Sequence, residues 1–253
     1  MTRIYSNPDD VEKPRIDREA VGSFFDERAR KAAELGAIRA VIYQDKHPDL
    51  AERRNASEKA SLMPLLDLDA SQRVLDVGCG TGRWTGDILA SGAYYHGTDS
   101  NEGLLSVARN HYRNSARCRF SVAPIEALTL QSIQENKPFD RILCAGVLIY
   151  LNDEEVLEGL RSMMEMLSST GRLLLREPMG VDSRLTIKRH YSADLDQVYN
   201  AIYRTESELE SMVISVFIDT RFSITGKGNV YEDPSLNNRT DTRQRWLLLE
   251  RRA

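Results

Sequence analysis

The hydrophobic rhythm of the chain changes twice. Over 17–37, DREAVGSFFDERARKAAELGA, apolar side chains recur at helical spacing (Val21, Phe24, Phe25, Ala29, Ala32), and Asp17 stands where an N-cap belongs. A second amphipathic helix is expected over about 49–65, with Leu50, Leu62 and Leu65 among its apolar positions. AVIYQDKHP reads as an irregular link ending at Pro48, and residues 1–15 as a flexible arm. From Arg73 short apolar runs alternate with helical patterns. RVLDVG, AYYHGTDS, CRFSVAP, FDRILCAG and GRLLLREP read as strands; TGRWTGDILASG, NEGLLSVARNHYR and DEEVLEGLRSMMEML read as helices.

Strands alternating with helices at this spacing predict βαβ units and a parallel sheet covered on both faces. After Pro178 the rhythm breaks again. Residues 179–204 are polar and carry no clear strand pattern, so they read as an insertion. A helix over TESELESMVISV opens on Thr205 and Glu208 in capping-box spacing. FSITGKGNVYE and RQRWLLLERR follow with no helix between them, which predicts an antiparallel hairpin at one edge. The expected fold is α/β and doubly wound. It has a mostly parallel seven-stranded sheet, an antiparallel edge hairpin and an N-terminal helical cap. The expected division is an arm and cap over 1–70, then a domain over 71–253 with an insertion at about 179–204.

Composition narrows the function classes. The net charge is −4, so no strongly basic surface points to a nucleic acid partner. No apolar run approaches the roughly 18–20 residues that span a bilayer, and MTRIYSNPDDVEKPR lacks a signal-peptide core. A cytoplasmic protein without a membrane partner is expected. Cys79, Cys118 and Cys144 are odd in number and far apart. His47, His96, His111 and His190 are scattered, so no metal site is expected.

The candidate chemistry begins at VLDVGCGTGRW, residues 74–84, where Gly78, Gly80 and Gly82 follow the first strand of the alternating region. A glycine turn there lets a ligand approach the backbone at the start of a helix, and Gly82 reads equally as packing. The dinucleotide spacing G-x-G-x-x-G fails, because the third position falls on Arg83 or Thr85. Asp76 precedes the turn; it would repel a pyrophosphate and suit an ammonium. Asp99 ends the next strand, where an acid accepts hydrogen bonds from ribose hydroxyls. An amine at one end and a ribose in the middle describe S-adenosylmethionine.

VLDVGCGTG, Asp99 in HGTDSNEG, FDRILCAGVLIYL and GRLLLREP together resemble the successive motifs of the class I S-adenosylmethionine-dependent methyltransferases, over about 72–178. YQDKHPDLAERRNASEK resembles, more distantly, the N-terminal region of bacterial methyltransferases acting on glycans or secondary metabolites. The resemblance implies a Rossmann-like methyltransferase fold. It implies that Gly78, Cys79 and Gly80 pack on the methionine part of the cofactor, with Asp76 at its ammonium and Asp99 at its ribose. Ser100, Ile125 and Glu126 would flank the adenine. Ala145, Gly146 and Val147 would line the sulfur. Arg54 would pair with the cofactor carboxylate, and Tyr43 would complete the pocket from the cap; Trp84 reads as pocket wall or as packing.

The candidate catalytic residues are Glu177 at the end of the fifth strand and His190 and Tyr191 in the insertion. Arg184, Lys188, Arg189 and Arg204 would suit an acidic acceptor such as a nucleotide-sugar or an acidic glycan. The expected reaction is O-methylation of a small molecule or glycan. N-methylation of a secondary metabolite, or a cofactor-binding protein without catalysis, stand as alternatives. The N-terminal helices either cap one subunit or pair two into a homodimer.

Overall fold

The computed structural model describes residues 2–7, 10–192, 195–237 and 239–251. The expected arm, the insertion and the last strand each include positions outside these. The chain runs β1 (Thr2–Ser6), α1 (Arg18–Leu35), α2 (Ala37–Ile42), α3 (Pro48–Leu66), β2 (Arg73–Val77), α4 (Thr85–Ala90), β3 (Tyr94–Asp99) and α5 (Glu102–His111). It continues β4 (Cys118–Val122), β5 (Phe139–Ala145), α6 (Asp153–Met166), β6 (Leu167–Gly180), β7 (Arg184–Ser192), β8 (Gln197–Tyr203), α7 (Glu206–Phe217), β9 (Phe222–Asn229) and β10 (Thr242–Arg251).

Seven strands form the main sheet in the order β4-β3-β2-β5-β6-β10-β9. The first five pair in parallel. β10 pairs antiparallel with β6 and β9, which makes the expected antiparallel edge. On one face α6 and α7 bury Leu160, Met163 and Phe217 against Leu75, Ile142 and Leu175. On the other, Leu62 and Leu66 of α3 pack with Trp84, Ile88 and Leu174.

Three sequence expectations are corrected. Residues Thr2–Ser6 of the expected arm form β1. Residues Ala37–Ile42, at the start of the expected link, form α2, which Tyr43 terminates in the left-handed conformation. The insertion is a β7–β8 hairpin that joins β1 in a second antiparallel sheet of three strands. Leu185, Ile187, Tyr199, Ala201 and Tyr203 of this hairpin pack on Val21 and Phe24 of α1. A register shift between Ile187 and His190 interrupts the alternation that marks a strand.

Local chemistry fixes the cap on the main sheet. Asp17 caps α1 by accepting from the Glu19 and Ala20 amides. Arg28, fully buried, donates to Asp45 through both terminal nitrogens at 2.7 Å and to the Ala40 carbonyl at 2.8 Å, locking α1 onto α2. Arg204, at the end of β8, donates to the Leu148 and Leu151 carbonyls at 2.8 Å each and to Asp153 at 2.6 Å. Arg184 of β7 adds a bidentate pair to Asp153. The small sheet is thereby pinned to the turn that follows β5.

Candidate active site

The carboxyl ends of β2, β3, β5 and β6 open into a cavity of about 330 Å³, where ligands of open α/β sheets bind. α1, α2, the first half of α3 and β8 roof it. Every residue named above as a cofactor contact lines it: Tyr43, Arg54, Asp76, Gly78, Cys79, Gly80, Asp99, Ser100, Ile125, Glu126, Ala145, Gly146 and Val147.

At one end stands Asp99. Its Oδ2 accepts from the Gly80 amide at 2.9 Å and its Oδ1 from the Asn101 amide at 2.8 Å. Each carboxylate oxygen keeps a lone pair for a further donor, which suits a pair of ribose hydroxyls. Burial raises its pKa, and the amides oppose that rise. Asn101 caps α5 through its side-chain oxygen and donates to Asp26 of α1 at 2.7 Å, closing the cap over this end.

The glycine turn comes next. The Thr98 carbonyl of β3 accepts from the Gly78 and Cys79 amides at 2.7 and 2.9 Å, so the neighbouring strand fixes the turn. Gly78 has φ of +71°, and a Cβ there would meet Cγ2 of Val147 at 2.2 Å. A side chain at this position would therefore displace Val147, which lines the cavity at the end of β5. Gly82 resolves as packing: it faces Thr85, Ala108 and Tyr112 and does not line the cavity.

Asp76, beneath the turn, is 1% exposed and accepts from the Tyr95 hydroxyl at 2.7 Å. Burial pushes its carboxyl up to about 7, with the Tyr95 bond and Arg83 pulling it down. An ammonium in the cavity would supply the charge this carboxylate lacks. Together with Asp99 and the glycine turn, this set fits the cofactor inferred from the sequence.

The remaining wall divides in two. Beside Val147, Phe25, Tyr43, Tyr150, Tyr199 and Tyr203 form an aromatic compartment. Tyr43 and Tyr150 share a side-chain hydrogen bond. Tyr199 stands 3.4 Å from the Tyr150 hydroxyl and 2.9 Å from that of Tyr203. Burial pushes Tyr43 up to about 12 and raises Tyr150, Tyr199 and Tyr203 as well, so all four stay protonated near neutral pH. Bridging the turn after β2 and the end of β6, Glu58 takes Arg83 and Arg176 at 2.8 Å each, with Arg54, Tyr231, Thr242 and Gln244 also lining this side. Arg54 is no solvated helix arginine: it is 4% exposed and donates through Nε to the Leu236 carbonyl at 2.7 Å.

The catalytic candidates lie elsewhere. Strand alternation aims Arg176 and Pro178 into the cavity and turns Glu177 away from it. The Oε1 atom of Glu177 accepts from the Val147 and Leu148 amides at 2.9 and 3.0 Å. Burial outweighs those bonds and pushes the carboxyl up to about 7. In this geometry Glu177 shapes the turn after β5; it does not face the cavity. His190 and Tyr191 follow the register shift in β7 and do not line the cavity either. Tyr191 is 56% exposed and donates to Asp196. Arg184 and Arg204 are consumed by Asp153, and neither they nor Lys188 and Arg189 reach the cavity.

Sequence reasoning missed Glu58, Arg83, Arg176, Tyr199, Tyr203, Tyr231 and Gln244. The spacing Tyr199, Ala201, Tyr203 was a usable signal for a strand with an aromatic face. The pairing of Glu58 with Arg83 and Arg176 spans 25 and 118 residues and leaves no local mark. Among the described residues there is no group of His, Cys, Asp and Glu that would hold a metal, and no helix long and apolar enough to cross a membrane.

Residues 74–171 match the family described as "Methyltransferase domain". That segment is under half of the chain, and the fold around it is the Rossmann-like fold of solved S-adenosylmethionine-dependent methyltransferases. Among particular relatives, it is similar to the phosphoethanolamine N-methyltransferase of Triticum aestivum, 25% identical over 164 residues. That match covers 64% of this chain and 30% of the wheat protein, so the chain spans under a third of that relative. The phosphoethanolamine N-methyltransferase 1 of Haemonchus contortus, solved with phosphoethanolamine and S-adenosylhomocysteine, superposes with a TM-score of 0.69 at 19% identity. It covers 93% of this chain and 50% of that one. The 1,6-didemethyltoxoflavin-N1-methyltransferase of Burkholderia thailandensis superposes with a TM-score of 0.65 at 18% identity, covering 99% and 96% of the two chains.

Proposed function

We propose that this chain methylates the nitrogen of a small amine, with S-adenosylmethionine as the donor. The cofactor supplies a methyl group on a sulfonium centre. Asp99 would hold its ribose, Asp76 its ammonium, and Ser100, Ile125 and Glu126 its adenine. The backbone of Gly78–Gly80 would lie along the methionine part, and Ala145, Gly146 and Val147 would line the reacting end. The unpartnered Nε1 of Trp84, next to the glycine turn, would serve the cofactor carboxylate.

The aromatic compartment carries the choice of nitrogen. Phe25, Tyr43, Tyr150, Tyr199 and Tyr203 surround the space beside Val147, and no His or Lys lines the cavity among the described residues. Electron-rich ring faces favour a cation, and methylating an amine moves the positive charge onto the acceptor. An alcohol would have to surrender a proton to a base. Phenols held protonated by burial do not supply one. An alkylammonium first sheds a proton to solvent; the neutral amine then attacks with its own lone pair, the N–C bond forming as the methyl–sulfur bond breaks, and the compartment orients it and excludes water. Two of the similar proteins above are named N-methyltransferases of phosphoethanolamine, which agrees with this reading. This reading departs from the O-methylation expected from the sequence, and the panel below separates the two. The residues of β1, the N-terminal helices and the β7–β8 hairpin together act as the cap that encloses the acceptor.

The test is methyl transfer to a panel of phosphoethanolamine, ethanolamine, a catechol and a nucleotide-sugar, with the product's methyl carbon located by NMR. Methyl on nitrogen is expected. Methyl on oxygen would overturn the reading, and cofactor binding without transfer to any acceptor would favour a binding protein.

A further inference from the structure

We propose that the hydroxyls of Tyr150, Tyr199 and Tyr203 form a proton relay, which carries the acceptor's ammonium proton out of the aromatic compartment to Asp241 at the protein surface. This rests on the N-methylation reading above and adds the step by which a bound ammonium becomes a nucleophile.

The chemistry of the compartment poses the need. A primary amine keeps its proton up to about pH 10, so near neutral pH almost all of the acceptor is ammonium. The ring faces beside Val147 favour that cation. An ammonium has no lone pair, so one proton must leave before the nitrogen attacks. The wall is dry: Tyr150, Tyr199 and Tyr203 are 4, 7 and 7% exposed. The carboxylates that line the cavity are engaged elsewhere. Asp76, Asp99 and Glu126 are assigned to the cofactor, Glu58 holds Arg83 and Arg176, and Asp26 accepts from Asn101.

A string of hydroxyls leads outward. Tyr150 lies three residues after Val147, at the reacting end, and its hydroxyl stands 3.4 Å from that of Tyr199. The Tyr199 hydroxyl stands 2.9 Å from that of Tyr203. These two are four residues apart on β8, so strand alternation puts both on one face. Tyr43 joins the string from the cap through its bond to Tyr150. A hydroxyl both donates and accepts. Each phenol takes a proton on its oxygen while passing its own to the next, so none has to ionise. Burial holds Tyr150 and Tyr199 well above the ordinary phenol value, which makes them conduits and not bases.

The small sheet sets the outer end. Tyr203 of β8, Leu185 of β7 and Tyr5 of β1 stand in one cross-strand row. Tyr5, on the edge strand, is 55% exposed and donates to Oδ2 of Asp241 at 3.0 Å. Arg3 donates to the same oxygen at 2.5 Å, while Oδ1 of Asp241 is buried and has no partner. The charge of Asp241 bears on the Tyr203 hydroxyl, opposed by Arg239, whose guanidinium lies 5.5 Å from the Tyr203 ring centre. The Asp241 side chain is 27% exposed, so a proton that reaches it exchanges with water.

The protons balance. The ammonium gives one to the Tyr150 oxygen, Tyr150 gives its own to Tyr199, Tyr199 to Tyr203, and Tyr203 to Asp241, which releases it. The freed lone pair forms the N–C bond as the methyl–sulfur bond breaks, leaving a methylated ammonium and S-adenosylhomocysteine. The hydroxyls then rotate back.

The test follows kcat/KM of the full chain with S-adenosylmethionine and ethanolamine, in total amine, from about pH 8 to about pH 10.5. The window starts above Asp76 and Glu177, both near 7, and stops short of the buried phenols, of which Tyr43 stands at about 12. The charges that bear on the string are Arg28 and Asp99 near Tyr43, and Arg3, Arg239 and Asp241 near Tyr203. They are guanidinium and carboxylate groups, whose ordinary ranges lie outside the window. The wild type uses the ammonium form, so its kcat/KM is expected to change by less than about threefold. Tyr199→Phe keeps the ring, removes the middle oxygen and leaves only free amine as substrate. It is expected to fall at least about tenfold below the wild type at the acid end and to come within about threefold at the alkaline end. Tyr203→Phe cuts the next link and is expected to give the same profile, with the double variant no slower than either single one. A deficit that is constant with pH, or deficits that multiply in the double variant, would reduce these tyrosines to packing and overturn the proposal. So would variants that match the wild type throughout. A wild-type chain that puts no methyl on the ethanolamine nitrogen would instead defeat the N-methylation reading, and the relay with it.

Discussion

Two buried carboxylates at the ends of β2 and β6 carry most of the residue-scale chemistry, and each has a pH signature. Asp76 is held near 7 by burial, so at lower pH it is protonated before any ammonium arrives. Cofactor affinity should then rise with pH from about 5.5 and level off above about 7.5, approaching tenfold per unit on the acid side. Calorimetry across that range checks it, and Asp76→Asn should bind weakly with a flat profile. Glu177 works in the opposite sense, on stability. Its folded pKa of about 7 lies above the unfolded value, so its contribution is fully present below about pH 4 and is lost as pH rises through 7. Glu177→Gln keeps an acceptor for the Val147 and Leu148 amides but cannot ionise. The variant should gain on the wild type by about 2 kcal/mol between about pH 5 and pH 8, read from denaturant midpoints. An unchanged difference across that range would mean that the wild-type carboxyl titrates normally. That Asp76 and Asp99 meet in the cavity was legible because a strand end beside a glycine turn leaves few places for an acid. It misjudged Glu177 because a strand's two faces cannot be told apart without knowing which one meets the cavity.

At the scale of elements, periodicity revealed what is regular and long. α1 and α3 start within a residue or two of their expected positions, because Asp17 and Pro48 mark their first turns. The parallel strands were equally plain, since strands buried on both faces read as apolar runs. The β1-β7-β8 sheet was not legible. One side of it packs on α1 while Tyr5, Tyr191 and Val198 are exposed, and the register shift breaks its alternation. Its attachment is a matter of charge. Arg204 satisfies two carbonyls of the turn after β5 and shares Asp153 with Arg184. Arg204→Ala should strand those carbonyls and half of that pairing, and cost about 3 kcal/mol. A denaturation midpoint within error of the wild type would show that the hairpin is held by its apolar face alone.

For the molecule as a whole, the cap matters as much as the sheet. The main sheet presents Asp76, Asp99 and the glycine turn, while α1, α2, α3 and β8 contribute Phe25, Tyr43, Arg54, Glu58, Tyr199 and Tyr203. About a third of the cavity's lining therefore comes from segments whose sequence gives little sign of a site. Their residues meet only when the chain folds back on itself, as Glu58 does on Arg176. The acceptor side consequently remained open at the sequence level, and Arg184 and Arg204, two of the four cations in 184–204, hold the fold together. The central claim is that Asp99 and the glycine turn hold S-adenosylmethionine in this cavity. The most direct measurement is calorimetric titration of the wild type and of Asp99→Ala with S-adenosylhomocysteine, with NAD in parallel. Micromolar binding by the wild type, at least about tenfold loss in Asp99→Ala and no binding of NAD are predicted. Equal affinity in the two proteins, or binding of NAD in preference, would contradict the account.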